Sequence, residues 1–107
     1  MPIKENEKVA LLELKQFLEK HYNLIDFRIF GSKARGKDTP DSDIDVMIEL
    51  SEITPDIETE IDKILFKINL KNDCFISAVM FGKKELEEGP MDQSPLYKAI
   101  EKEGIRI

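Results

Sequence analysis

Leu24-Ile25-Asp26-Phe27-Arg28-Ile29-Phe30-Gly31 and, after a polar stretch, Asp43-Ile44-Asp45-Val46-Met47-Ile48-Glu49-Leu50 decide how this chain folds. In the first run Ile25, Phe27 and Ile29 alternate with Asp26 and Arg28; in the second Ile44, Val46 and Ile48 alternate with Asp43, Asp45 and Glu49. Strand side chains point to opposite faces in turn, so each run reads as a strand with one apolar face. Only about a dozen residues without helical periodicity separate them. That is short for a parallel crossover, so the two strands are expected to pair antiparallel.

Working outward, Leu11, Leu14, Phe17, Leu18 and His21 recur at helical spacing between about Asn6 and Tyr22, which predicts an amphipathic helix lying on the sheet. After the second strand, Thr54 and Pro55 mark a helix start, and Asp56, Glu58 and Glu60 suit its positive end. Ile57, Ile61, Ile64, Leu65 and Ile68 form its buried stripe, and the helix crosses to a third, nearly all-apolar strand at Cys74 to Phe81. A helical turn at Lys84 to Glu88 is broken by Gly89-Pro90, and Ser94-Pro95 caps a last helix that Gly104 closes. The expected fold class is α/β (α+β): a small mixed sheet with helices packed on one face, in a single domain spanning residues 1–107.

Composition narrows the class. The 107 residues, 41% hydrophobic and 36% charged, suffice for one core without metal or disulfide staples. Five glycines and five prolines with no fixed period exclude a collagen-like chain. Cys74 has no disulfide partner and reads as a buried thiol in a reducing compartment. With no run of about 20 apolar residues and no signal-peptide core, the chain is expected to be cytoplasmic and to have no membrane partner. A net charge of -6 argues against extended nucleic-acid binding, which depends on Lys and Arg neutralising phosphates.

The connection between the first two strands, Gly31-Ser32-Lys33-Ala34-Arg35-Gly36-Lys37-Asp38-Thr39-Pro40-Asp41-Ser42-Asp43-Ile44-Asp45, carries the chemistry. A P-loop would fit Gly31 to Lys37 but requires Ser or Thr where Asp38 stands, and a helix where Pro40 and a strand follow. A calcium loop would fit Asp41, Asp43, Asp45 and Glu52, but its sixth place demands Gly and holds Val46. Asp43 and Asp45, two residues apart on one strand, project from the same face about 7 Å apart at their backbones. Two such carboxylates repel unless a cation lies between them, and Mg²⁺ takes a few carboxylates together with phosphates and water. Gly31 lets a phosphate approach the backbone, the Ser32 hydroxyl can donate to it, and the planar fork of Arg35 suits phosphate better than Lys33 or Lys37.

Phe-Gly-Ser at a strand end, Ala-Arg-Gly next and Ser-Asp-Ile-Asp opening the following strand, with ten residues between Gly31-Ser32 and Asp43, resemble the signature of the DNA polymerase β-like nucleotidyltransferase superfamily. The match is closest to its minimal, MNT-type members, and extends more loosely over the whole chain. The resemblance implies a nucleotidyltransferase fold, with Asp43 and Asp45 as catalytic metal ligands for Mg²⁺ and Gly31, Ser32 and Arg35 as nucleotide-binding residues. It implies transfer of a nucleoside monophosphate, AMP from ATP as substrate, to a hydroxyl. With no second domain to present an acceptor, that hydroxyl should come from a partner. MNT-type proteins typically act as antitoxins to HEPN-domain toxins, and some are thought to add AMP to a tyrosine of that partner.

The pattern departs in one place. Such enzymes usually carry a third acidic residue on the neighbouring strand, and Cys74 to Phe81 contains none; with that position near Phe75, Asp73 is the nearest substitute, one pleat earlier. The alternatives are therefore a binding antitoxin without turnover, or a transferase acting on a small molecule of aminoglycoside type, which would need an acidic acceptor pocket. His21 reads as a helix-end or core-edge residue, since cations suit that end of a helix.

Overall fold

The computed structural model describes residues 3–31 and 43–107. Ser32, Lys33, Arg35 and Lys37 lie outside the described residues. Helix α1 spans Glu5–His21, strand β1 Leu24–Phe30, strand β2 Ile44–Leu50, helix α2 Pro55–Asn72 and strand β3 Ile76–Gly82. A short helix α3 (Lys83–Glu87), a 3₁₀ turn (Pro90–Gln93), helix α4 (Pro95–Glu103) and a two-residue strand β4 (Ile105–Arg106) complete the order. The sheet runs β3-β2-β1-β4 and is mixed: β1 is antiparallel to β2 and to β4, while β2 and β3 are parallel, joined by α2.

The helix starts read from sequence are built as capping chemistry requires. Thr54 Oγ1 accepts from the Ile57 amide at 3.2 Å, and Ser94 Oγ from the Tyr97 amide at 3.0 Å. Each satisfies one of the amides that a first helical turn leaves without a partner.

Alternation in β2 divides the molecule. Ile44, Val46, Ile48 and Leu50 are buried against Leu11, Leu14 and Leu18 of α1 and Ile61, Leu65 and Ile68 of α2, with Phe27 and Ile29 of β1 in the same cluster. Sliding β2 by one residue would turn its acidic set into that core, so the apolar face holds the register. The expectation of helices on one face holds for the two long ones. The opposite face carries a smaller layer as well, where Met47 is buried with Phe81, Leu86 and Ile100. Helix α4 reaches this layer through Ile100, while its Leu96 is exposed.

β4 was missed altogether. Two residues carry no readable period; the Ile105–Arg106 strand forms because β1 offers an open edge, pairing Arg28 with Arg106 and Ile29 with Ile105.

Candidate functional site

The site is set by two registers. Across the antiparallel pair, Phe30 stands opposite Asp45, so the chain leaves β1 at Gly31 directly beside the first turn of β2. Across the parallel pair, Asp45 stands beside Ser77, and the Ile44 amide donates to the Phe75 carbonyl at 2.8 Å, which places Phe75 beside Asp43. Asp43 is exposed and Asp45 half-buried, both on the face away from the Ile44-Val46-Ile48 core.

Gly31 has a φ of 75°, a conformation that residues with a Cβ seldom adopt. Its position adds a second constraint: a Cβ there would lie 2.5 Å from Asp45 Oδ2. The glycine at the strand end and the carboxylate of Asp45 are therefore in direct juxtaposition. Of the five residues singled out from sequence, Gly31 and Asp45 are brought together, with Asp43 two residues before Asp45; Ser32 and Arg35 fall outside the described residues.

Asp73 does not join them. It is the C-cap of α2 in the left-handed conformation, φ 51°, and its carbonyl accepts from Asn6 Nδ2 at 3.1 Å. Among the described residues no three His, Cys, Asp or Glu side chains come together to hold a metal. A pair of carboxylates without a third is the donor set of an ion that completes its shell with phosphate oxygens and water, as Mg²⁺ does, rather than of an all-protein cage. The positions beside the pair are Phe75, just before β3, and Ser77 on it, both exposed. Their offset from Asp43 and Asp45 depends on how far α2 carries the chain before β3 pairs, which no sequence signal fixes.

Two other readings are settled by burial. Cys74 is buried, its thiol 3.6 Å from Asn69 Oδ1, and burial above all pushes its pKa up, away from nucleophile chemistry. His21 is exposed at the end of α1, its ring 4.5 Å from that of Phe17.

A polar cluster that the sequence did not announce lies at the other end of β1, about 13 Å along the strand from Phe30. Asp26 accepts from Arg28 Nε at 2.8 Å and from Arg106 Nε at 3.2 Å. A cavity of about 570 Å³ opens there, lined by Lys15, Glu49, Tyr97 and Glu101 among others. Glu49 faces Asp26 across the strand pair, and burial, then the Asp26 charge, raises its pKa. Its charges answer one another, and it is remote from Gly31 and the acidic pair.

The family model described as "Nucleotidyltransferase domain" matches residues 11–107. Two curated proteins of Methanocaldococcus jannaschii are similar. "Putative protein adenylyltransferase MJ1379" is 43% identical over 50 residues, covering 40% of this chain and 50% of that protein. "Putative protein adenylyltransferase MJ1215" is 44% identical over 54 residues, covering 44% and 62%. The matches thus span between half and two thirds of the curated relatives. A solved "putative minimal nucleotidyltransferase" shares the fold over 100% of both chains with a TM-score of 0.65 at 19% identity. A chain from a toxin-antitoxin crystal structure with AMP-PNP has a TM-score of 0.62 at 18% identity, covering 92% of this chain and 70% of that one.

Proposed function

Because the chain belongs to the nucleotidyltransferase domain family, we propose that it is a Mg²⁺-dependent transferase that moves AMP from ATP to a hydroxyl, a tyrosine of a HEPN-domain toxin, and so acts as an antitoxin. The observation that carries this reading is the contact between Gly31, at φ 75°, and the Asp45 carboxylate. It sets the end of the first strand against one carboxylate of the acidic pair, which supports reading the two together as a phosphate and metal site. The relatives named as protein adenylyltransferases and the fold shared with a toxin-antitoxin protein support the choice of AMP and of a toxin partner.

In this reading Asp43 and Asp45 would hold Mg²⁺, which when bound neutralises phosphate charge and lowers the pKa of a bound hydroxyl. Gly31, with no side chain, would let the backbone come close to a phosphate, and the Ser32 hydroxyl and Arg35 fork would donate to its oxygens. The acceptor oxygen bonds to the α-phosphorus as the bond to the β-phosphate bridge breaks, pyrophosphate leaves, and the hydroxyl proton passes to water. The chain's own contribution is position: the buried face of β2 fixes both carboxylates, and the β1 register fixes Gly31 beside them.

One observation favours a second reading. Phe75, which leads into β3, and Ser77 on β3, rather than an acidic residue, stand beside the pair, and no third acid joins it among the described residues. This is the arrangement expected of a binding antitoxin that inhibits by occlusion. Melting with and without Mg²⁺-ATP tests the shared premise: Asp43→Asn with Asp45→Asn should abolish the ligand-induced rise in melting temperature and leave the fold intact. An unchanged rise in the double variant would remove the acidic pair from the site.

A further inference from the structure

The strand order places the two flanks of the acidic pair on different strands. Gly31 ends β1 on one side of β2, and Phe75 leads into β3, the sheet's edge, on the other. Displacement at phosphorus sets the entering and leaving oxygens roughly in line. With the departing pyrophosphate on the Gly31 side, the entering hydroxyl comes from the β3 side.

What waits there is an aromatic ring. The Phe75 carbonyl takes the Ile44 amide, and Ile76 next to it is buried in the core, so alternation turns Phe75 to the face of Asp43. Adjacent strands lie about 4.8 Å apart, which makes Phe75 the lateral neighbour of Asp43. It is 69% exposed. An exposed phenyl beside a carboxylate pair is a poor seat for a polyhydroxylated or polycationic acceptor and a good one for another ring.

Resting on the transfer reading above, we propose that Phe75 contacts the acceptor, holding the ring of a tyrosine so that its phenol oxygen lies over Asp43. This makes the acceptor an aromatic hydroxyl and disfavours a small sugar-like acceptor.

The test is an amide NMR titration of the full isotope-labelled chain, first with Mg²⁺-ATP and then with N-acetyl-L-tyrosinamide or N-acetyl-L-serinamide. The tyrosine probe should shift the amides of Asp43, Phe75 and Ser77, and the serine probe should not. Phe75→Ala should weaken the tyrosine probe on the order of tenfold while leaving Mg²⁺-ATP binding unchanged, and Phe75→Tyr should restore it. Equal response to both probes, or equal affinity in Phe75→Ala, overturns the assignment of Phe75. Weaker Mg²⁺-ATP binding in Phe75→Ala also overturns it, because the ring then belongs to the base. Absence of any Mg²⁺-ATP effect at Gly31, Asp43 and Asp45 instead overturns the transfer reading, and the acceptor role of Phe75 with it.

Discussion

Replacing Gly31 by alanine should both destabilise the protein and close the site, and the size of the effect follows from two separate features. At φ 75° a residue with a Cβ pays about 1–2 kcal/mol relative to glycine. The new Cβ would also lie 2.5 Å from Asp45 Oδ2, so the carboxylate must leave its rotamer at a cost of about 0.5–1.5 kcal/mol. Together these give a loss of about 1.5–3.5 kcal/mol, which for a domain of this size lowers the melting temperature on the order of 10 °C. The two parts separate in a double-mutant cycle. In an Asp45→Ala background the contact with Oδ2 is gone and the Asp45 Cβ, at 3.6 Å, is at ordinary distance, so only the backbone part should remain. Denaturant unfolding of the four proteins, followed by circular dichroism, measures the cycle. A loss under about 0.5 kcal/mol in the first background, or an equal loss in both, would refute the proposed juxtaposition of Gly31 and Asp45.

Arg35→Ala should weaken binding of ATP on the order of tenfold and leave adenosine nearly unaffected, as measured by calorimetry; equal weakening of both would remove Arg35 from the phosphates. Glu49, whose pKa burial and then the Asp26 charge raise, favours the folded state fully below its unfolded value, and that contribution is lost as pH rises through the folded one. Glu49→Gln should therefore raise the melting temperature at pH 7–8 relative to wild type, with the gap narrowing toward pH 4; melts across that range that show a constant gap would contradict the sign.

The parts of this fold that were legible in the sequence are those where one face is fully buried. Ile44, Val46, Ile48 and Leu50 have no exposure to speak of, and their alternation predicts both β2 and the side from which Asp43 and Asp45 project. Thr54 and Ser94 were legible because capping is local chemistry. β4 was not, since Ile105 and Arg106 are strand only by virtue of the β1 edge they meet. Nor could sequence place Ser77 beside Asp45, because a parallel register is fixed by the packing of the crossover helix and not by any residue near the strand. Asp73 shows the same limit from the other side: two residues before Phe75, it reads as the next pleat of a strand, yet it adopts a left-handed cap that ends α2.

The central claim, that the pair at the start of β2 serves transfer of AMP to a partner, is tested most directly by intact-mass spectrometry of a HEPN-domain partner incubated with this protein, Mg²⁺ and ATP. The account predicts a gain of one or more AMP units, confined to tyrosine and absent with Asp43→Asn. A partner that is inhibited with its mass unchanged, and inhibited equally by Asp43→Asn, would contradict it and leave occlusion as the mode of action.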